Sequence, residues 1–176
     1  YKRQHSNGDL YFTDPPYGLA GQEEDPAKEI PFQGVFRLKP NGEVDLMTDE
    51  LSRPNGIALS PDEKTLYVAN SDPEKAIWMA YPVKDDGTIG EGKIFYDATD
   101  KVSKEFPGLP DGMKVRDDGI IFATGPGGVW VFDPEGDQLG RISPSPIMPT
   151  SNCAFGNDGK ALYLTVDDFL MRVWLE

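Results

Sequence analysis

The feature that most constrains the fold of this 176-residue chain is a hairpin motif that recurs along it. Each copy has a small polar residue, a short apolar strand, a tight turn, and a second strand rich in apolar and aromatic residues. The clear copies span residues 55–70, 111–124 and 152–165. Short runs of this composition, separated by turn residues, are typical of antiparallel β-hairpins. The chain is therefore predicted to be built from repeated hairpins.

Two further strands are predicted between successive hairpins, which makes the repeating unit four strands long. They lie at 34–38 with 43–47, 76–80 with 93–96, and 128–132 with 138–142. Four antiparallel strands that recur about every 40 to 55 residues are typical of β-propeller blades. A β-sandwich would also have many short strands, but it does not predict a polar residue at the head of every fourth strand. We predict an all-β chain, with residues 1–176 forming one β-propeller domain of about four blades.

The first and last blades are predicted to be incomplete. The copy that opens the chain has its turn and its second strand, at 5–13, but its first strand is missing or altered. The last copy ends at a third strand, 169–175. Residues 1–4 are too short and too polar to supply the missing outer strand, which a closed propeller often takes from its other terminus. We expect either that N-terminal blades are lacking or that a partner associates through the unpaired blade edges.

The charge balance and the rare residue types narrow the function classes. Acidic residues outnumber basic ones 30 to 17, which argues against nucleic acids and anionic membranes as partners. No apolar run approaches the length of a membrane span. We predict a soluble chain, whether cytoplasmic, periplasmic or secreted. His5 is the only histidine and is interpreted as a surface residue, so a histidine-based nucleophile triad is nearly excluded. Cys153 is the only cysteine and is interpreted as a buried structural thiol.

Three polar residues at equivalent places in the repeat are the candidate functional residues. Asn55, Asp111 and Asn152 each precede the first strand of a predicted blade. Because that strand lines the central channel of a propeller, the three side chains are expected to converge at its mouth. Carboxylate and amide oxygens are the ligands that a hard cation such as Ca²⁺ prefers. Asn and Asp also form ordinary turns, and this alternative stays open at this point.

Other segments have more general interpretations. Residues 14–31 form a long loop, with Tyr17 and Phe32 at its ends, that is either a lid at the channel mouth or a plain insertion. Residues 97–109 are predicted to contain a short helical turn. The three tryptophans fall on third strands and are predicted to pack between blades; they are Trp78, Trp130 and Trp174.

Six segments carry a resemblance to a known family. They lie at 11–18, 53–62, 108–113, 127–132, 139–140 and 150–156, in the order in which the family has them. With these motifs the chain resembles the SMP-30/gluconolactonase/regucalcin-like family of six-bladed propeller lactonases. The resemblance implies that about four of six blades are present.

The resemblance also implies a site. It implies one divalent cation in the channel, with Ca²⁺ as the first candidate and Mg²⁺, Mn²⁺ or Zn²⁺ as alternatives. The ligands would be Asn55, Asp111 and a glutamate from a blade that would precede Tyr1. Asp111 would also be the general base, and Asn152 and Tyr17 are the candidate substrate-binding residues. Because the family's substrate-binding Arg and Asn would also precede Tyr1, the chain alone is expected to be a poor enzyme.

The function expected from this resemblance is the hydrolysis of sugar-type lactones by a gluconolactonase-like enzyme. The cation would polarise the lactone carbonyl and lower the pKa of a bound water. Two alternatives remain, because a fold does not fix a substrate. One is a phosphotriesterase-like or aryl-lactone hydrolase on the same architecture, and the other is a non-catalytic propeller that acts as a binding scaffold.

Overall fold

The computed structural model describes residues 2–156 and 159–175, and its regular structure is almost entirely β. In this part of the chain fifteen strands are formed: β1 (Lys2–Gln4), β2 (Leu10–Asp14), β3 (Gly34–Leu38), β4 (Val44–Thr48), β5 (Pro54–Leu59), β6 (Thr65–Asp72), β7 (Lys75–Pro82), β8 (Lys93–Asp97), β9 (Met113–Val115), β10 (Ile121–Gly125), β11 (Gly128–Phe132), β12 (Gln138–Ile142), β13 (Thr150–Gly156), β14 (Ala161–Val166) and β15 (Phe169–Trp174). Three short 3₁₀ turns lie at Pro16–Gly18, Gln22–Glu24 and Thr99–Lys101. The last of these confirms the helical turn predicted between residues 97 and 109.

The strands form four antiparallel sheets whose members are consecutive in sequence. Their orders are β1-β2-β3-β4, β5-β6-β7-β8, β9-β10-β11-β12 and β13-β14-β15, and we call them blades 1 to 4. This arrangement confirms the predicted all-β fold of repeated four-stranded blades. The turns also behave as predicted, since Gly42, Gly87 and Gly136 have φ values of +88°, +77° and +99°.

Blade 1 corrects one prediction, because its first strand is present. Lys2 pairs with Phe12 and Gln4 pairs with Leu10, so β1 is the inner strand of a complete four-stranded sheet. The sequence predicted that this strand was missing or altered; the strand is present, and it was not recognised because it is short and polar. Its polarity is compatible with this place because Arg3 reaches the backbone carbonyls of Ile57 and Met113 in the next two blades.

Blade 4 has the three strands that the sequence predicts, and β15 has no further strand beside it among the described residues. Three large apolar side chains of β15 are exposed, namely Phe169 at 51%, Leu170 at 73% and Trp174 at 55%. The predicted packing of Trp174 between blades is therefore wrong within the described chain, where no following blade covers it. Association through unpaired blade edges stays a prediction.

Blades 2 and 3 hold most of the aromatic core. Trp78 of β7 and Trp130 of β11 are 1% and 2% exposed, and their rings lie 6.0 Å apart between the two blades. Phe132 packs edge-on against Trp78 at 5.4 Å. The predicted packing between blades is confirmed for these two tryptophans. Burial of these aromatic side chains between the sheets is the main favourable contribution to holding blade 3 against blade 2.

The inner strands of the four blades lie side by side in chain order. β1 contacts β5, β5 contacts β9, and β9 contacts β13. Residues at the start of one inner strand therefore lie near residues at the start of the next, which sets the place of the site. Within the described residues, no helix has the length and apolar character needed to cross a membrane.

Candidate functional site

A cleft of about 530 Å³ opens where the inner strands β5 and β9 begin. It is lined by side chains from both blades and from the connecting segments around them: Tyr17, Asn55, Ser71, Pro73, Val102, Ser103, Gly108, Leu109, Asp111, Pro149, Thr150 and Ser151. The structure therefore brings together three of the four residues singled out from the sequence, which are Tyr17, Asn55 and Asp111.

Asn55 lies near the start of β5, is only 7% exposed, and has an amide group whose orientation is fixed by its neighbours. The hydroxyl of Ser71 donates a hydrogen bond to the carbonyl of Pro110. The same hydroxyl oxygen accepts a hydrogen bond of 2.9 Å from Asn55 Nδ2. A hydroxyl has only one proton to donate, and that of Ser71 goes to Pro110, so its oxygen must accept a hydrogen bond from Asn55. The amide atom of Asn55 that faces Ser71 is therefore the nitrogen. Asn55 Oδ1 is therefore the atom left to accept from, or coordinate to, a group in the cleft.

Asp111 is held by backbone contacts on two sides. Its N–H donates to the carbonyl of Thr124 at 3.0 Å, and the N–H of the next residue, Gly112, donates to the carbonyl of Ser151 at 2.9 Å. The carbonyl of Asp111 also lies against Gly56, where an added Cβ would come within 1.8 Å of its oxygen. Only glycine fits at position 56, so the backbones of β5 and the segment before β9 approach closely here.

Tyr17 brings the long loop between β2 and β3 to the cleft. Its hydroxyl donates to the carbonyl of Ser71 at 3.4 Å, and 45% of the residue remains exposed. Burial raises the pKa of Tyr17, and the nearby Asp111 raises it further, so the side chain remains a neutral phenol. The loop is also tied to blade 2 by an ion pair of 2.8 Å between Glu23 and Arg53. It forms one wall of the cleft, and its role as a lid stays a prediction.

Asn152 lies close by but is not among the residues that line the cleft in the described part of the chain. Its Oδ1 accepts hydrogen bonds from the N–H of Cys153 at 2.9 Å and from Lys114 Nζ at 3.4 Å. The preceding residues of β13, Thr150 and Ser151, reach the cleft instead. The substrate-binding role of Asn152 stays a prediction.

Ser71 is the functional candidate that sequence reasoning missed. It is 4% exposed at the end of β6, next to Asn70, which is fully buried. A signal for it exists in the sequence, because two polar residues follow the apolar run 66–69 within one strand. Buried polar side chains of this kind are hydrogen-bonded and often have a specific task.

Cys153 and His5 lie outside the cleft lining. Cys153 is 3% exposed, and burial raises the pKa of its thiol to about 11, so it is not a reactive thiolate. The side chain of His5 is 18% exposed, and its Nδ1 lies 3.5 Å from Glu63 Oε2. Glu63 belongs to the turn that follows β5, whereas the cleft lies where β5 begins.

The donor set of the cleft suits a hard cation. Asn55 and Asp111 supply amide and carboxylate oxygens, which is the ligand type of Ca²⁺ and Mg²⁺ rather than of a soft metal. Among residues 2–156 and 159–175 there is no group of three or more His, Cys, Asp or Glu side chains placed to hold a metal. The metal-ligand roles of Asn55 and Asp111 stay a prediction, and both residues line the cleft.

Comparisons with known proteins identify the family and the fold of the chain. Residues 2–167 match the family described as the SMP-30/Gluconolactonase/LRE-like region. A gluconolactonase from Zymomonas mobilis is 43% identical over 168 residues, which are 95% of this chain and 47% of that protein. The solved structure of a gluconolactonase from Xanthomonas campestris has a TM-score of 0.83 at 32% identity, covering 99% of this chain and 56% of that one.

A more distant structure shows the same fold. A calcium-binding regucalcin from Agrobacterium tumefaciens has a TM-score of 0.70 at 24% identity, covering 94% of this chain and 52% of that one. The chain thus spans about half the length of the proteins it matches. With a match over residues 2–167 and the same propeller blades, the chain belongs to the SMP-30/gluconolactonase/LRE-like family.

Proposed function

We propose that this chain forms part of a hydrolase that opens sugar-type lactones with the help of one divalent cation. The observation that supports it best is the meeting of Asn55 and Asp111, which are 56 positions apart in sequence, in one cleft with Tyr17. The gluconolactonase from Zymomonas mobilis gives the substrate class, since it is 43% identical over 95% of this chain.

The cation is proposed to be held by Asn55 Oδ1 and the Asp111 carboxylate. Ca²⁺ is the first candidate, because of the oxygen ligands and the calcium-binding regucalcin of the same fold, with Mg²⁺, Mn²⁺ and Zn²⁺ as alternatives. When bound, such an ion stabilises negative charge that develops on a lactone carbonyl and acidifies a bound water.

The residues of the chain have separate tasks in this proposal. Asp111 takes the proton of the attacking water, as a general base at the cleft wall. Ser71 holds the Asn55 amide so that its oxygen faces the cleft. Tyr17, with its raised pKa, stays protonated and offers a hydrogen-bond donor or an apolar ring face to a sugar ring. Asn152 is retained as a substrate-binding candidate through its position on β13.

The test is to measure Ca²⁺ binding by isothermal titration calorimetry for the unsubstituted chain and for Asp111→Asn. Loss of a carboxylate ligand should weaken binding by about tenfold or more, as expected for a charge-assisted contact. The matched control is Asp117→Asn, which makes the same charge change at an exposed turn of the same blade and should leave the affinity within about twofold. Equal Ca²⁺ affinity in all three proteins would remove the proposed site.

Hydrolysis should be measured in parallel with a sugar lactone and an organophosphate triester, with and without a chelator. Because the chain spans about half the length of its relatives and is expected to be a poor enzyme alone, we expect slow lactone opening that stops on chelation. Preference for the triester would favour the phosphotriesterase-like alternative, and lactone opening that persists in chelator would contradict the role of the cation. Cation binding without any hydrolysis, both in this chain and in a longer protein that supplies the remaining blades, would be the result expected of a non-catalytic scaffold.

A further inference from the structure

A second cavity lies at the opposite end of the inner strands from the cleft. It has a volume of about 230 Å³ and is lined by the last residues of β1, β5 and β9 and by the turn after β5. Two of its lining side chains are cationic, Arg3 and Lys114, and one is acidic, Glu63. Cys153, Asn55 and Asp111 do not line it.

The two cations are held side by side by the same backbone oxygen. Arg3 Nη2 donates to the carbonyl of Met113 at 2.9 Å, and Lys114 Nζ donates to that carbonyl at 3.1 Å. Arg3 Nε also donates to the carbonyl of Ile57 at 2.9 Å. These bonds place two positive charges together in the interior of the propeller. Each cation still has N–H donors that these bonds do not use.

The pair is not neutralised by the part of the chain that the structure describes. None of the ion pairs formed there involves Arg3 or Lys114. Their partners are neutral oxygens, the carbonyls of Ile57 and Met113 and the amide oxygen of Asn152. Burial lowers the pKa of Lys114, and the nearby Arg3 lowers it further, as expected for like charges in a partly desolvated place.

Glu63 does not fill the role of a counter-ion. Its two carboxylate oxygens accept hydrogen bonds from the N–H and the hydroxyl of Ser6, at 2.8 and 2.5 Å. The ionisable side chain close to this carboxylate is His5, whose Nδ1 lies 3.5 Å from Glu63 Oε2. The carboxylate is thus engaged by the turn that follows β1, while the two cations are left with unused donors facing a cavity.

We propose that this cavity binds a small oxyanion, the class that includes inorganic phosphate and the carboxylate group of a sugar acid. The planar guanidinium of Arg3 and the point charge of Lys114 together match such a group, because both form short charge-assisted bonds to anionic oxygen. Among the described residues, the cavity shares no lining residue with the cleft, which lies at the other end of β5 and β9, although Lys114 also reaches Asn152, the residue kept as a substrate-binding candidate. It does not depend on the proposed lactone chemistry.

The test is isothermal titration calorimetry with inorganic phosphate at low ionic strength, using the 176-residue chain after divalent cations have been removed on a chelating resin. We expect saturable one-site binding that weakens by about tenfold or more in Lys114→Met, the effect of losing a hydrogen bond to a charged group. Lys93→Met is the control, since Lys93 is exposed on β8 and has the same charge, and it should bind within about twofold. Binding of gluconate as well as phosphate would identify carboxylates as a second source of the ligand.

Two further variants keep the proposal testable if Lys114→Met does not fold, as judged by far-ultraviolet circular dichroism. Lys114→Arg keeps the charge and should keep the binding. Glu63→Gln removes the negative charge that lines the cavity among the described residues and should tighten binding by about two- to fivefold. The proposal is overturned if phosphate shows no saturable binding, or if Lys114→Met and Lys93→Met bind equally. Unchanged binding in Glu63→Gln would also contradict it, because an anion beside Glu63 must sense that charge.

Discussion

The amide of Asn55 shows how a single side chain is prepared for a task by neighbours that are distant in sequence. Its nitrogen is held by the Ser71 hydroxyl, which is itself committed to the carbonyl of Pro110. The three groups come from β5, β6 and the segment before β9. A ligand oxygen that is already oriented loses less side-chain freedom when a cation binds.

Ser71→Ala tests this orientation. The substitution leaves the Asn55 nitrogen and the Pro110 carbonyl without their shared hydroxyl, which should lower the free energy of unfolding by about 1 to 3 kcal/mol. We also expect a weaker affinity for Ca²⁺, since the amide is then free to turn. Urea unfolding and calorimetry measure the two effects.

Ser143→Ala is the control for Ser71→Ala, because Ser143 is exposed just after β12 and its change should stay within about 0.5 kcal/mol. If Ser71→Ala behaves like this control in both measurements, the hydroxyl does not orient Asn55.

Gly56→Ala tests the close approach of the backbones at the cleft. A Cβ at this position would lie 1.8 Å from the carbonyl oxygen of Asp111, so blade 3 would have to move away from blade 2. Forced backbone shifts of this kind lower stability by about 1 to 3 kcal/mol or more. Thermal unfolding measures the loss, and Ca²⁺ affinity should fall with it.

Gly140→Ala is the matched control for Gly56→Ala, since a Cβ there meets nothing within 4 Å. Equal unfolding temperatures for the two variants would show that the contact between Gly56 and Asp111 is easily relieved.

At the scale of the elements, acidic side chains hold many of the turns that join strands. Asp97, at the end of β8, accepts a hydrogen bond of 2.9 Å from the N–H of Thr99. The side chain of Thr99 and this backbone N–H lower the pKa of Asp97 below its ordinary value of 3.8. Because the pKa is lower in the folded state, the ionised carboxylate stabilises the fold at pH values above the pKa of the unfolded chain. This contribution is lost as the pH falls through the pKa of the folded state.

Asp97→Asn should therefore make the free energy of unfolding depend less on pH in the acidic range. The amide oxygen of Asn can still accept from the Thr99 N–H, but it does not titrate. We expect the variant to be slightly less stable at neutral pH, by under about 1 kcal/mol. It should then lose less free energy of unfolding than the unsubstituted chain as the pH falls below the ordinary carboxyl range. Urea unfolding over this pH range gives the comparison, and parallel profiles for the two proteins would contradict it.

Most strands were predictable from sequence because their apolar runs are long and bounded by turn residues. β6 and β7 each have eight residues that are mostly buried, so the pattern is strong. β1 has three residues, Lys2–Gln4, and none is apolar, so neither propensity nor periodicity marks it. Its place is set by long-range contacts of Arg3 with two other blades, which no local pattern contains. The prediction that Trp174 packs between blades was wrong for a related reason, because its burial requires a neighbouring blade that the described chain does not supply.

At the scale of the whole molecule, the candidate site exists only when blades 2 and 3 are assembled. Asn55 and Asp111 were predictable because the repeat places them at equivalent positions, and the structure does bring them to one cleft. Ser71 and the connecting segments were not, since their contribution depends on how the blades pack. Asn152 has the same position in the repeat, yet its side chain turns to Lys114 and Cys153, which shows that equivalent backbone sites need not have equivalent side-chain directions.

A cation shared by two blades should stabilise the whole fold. A ligand that binds only the folded state at about 100 times its dissociation constant adds about 2.7 kcal/mol. The net charge of −13 means that any salt also screens self-repulsion, so NaCl of equal ionic strength is the proper reference. We expect CaCl₂ to raise the unfolding temperature above this reference, and we expect the excess to vanish in Asp111→Asn. An excess of the same size in that variant would place the stabilising ion elsewhere.

The cleft takes much of its wall from connecting segments rather than from strands, through residues such as Val102, Ser103, Leu109 and Pro149. Insertions and substitutions in such segments leave the hydrogen-bonded ladders intact. If the proposed lactone site is correct, exchanging connectors should change which substrates fit the cleft while Asn55 and Asp111 stay unchanged. A library confined to residues 102–105 would vary this wall while it leaves Gly108, with its φ of +104°, and the contact between Phe106 and Arg141 unchanged.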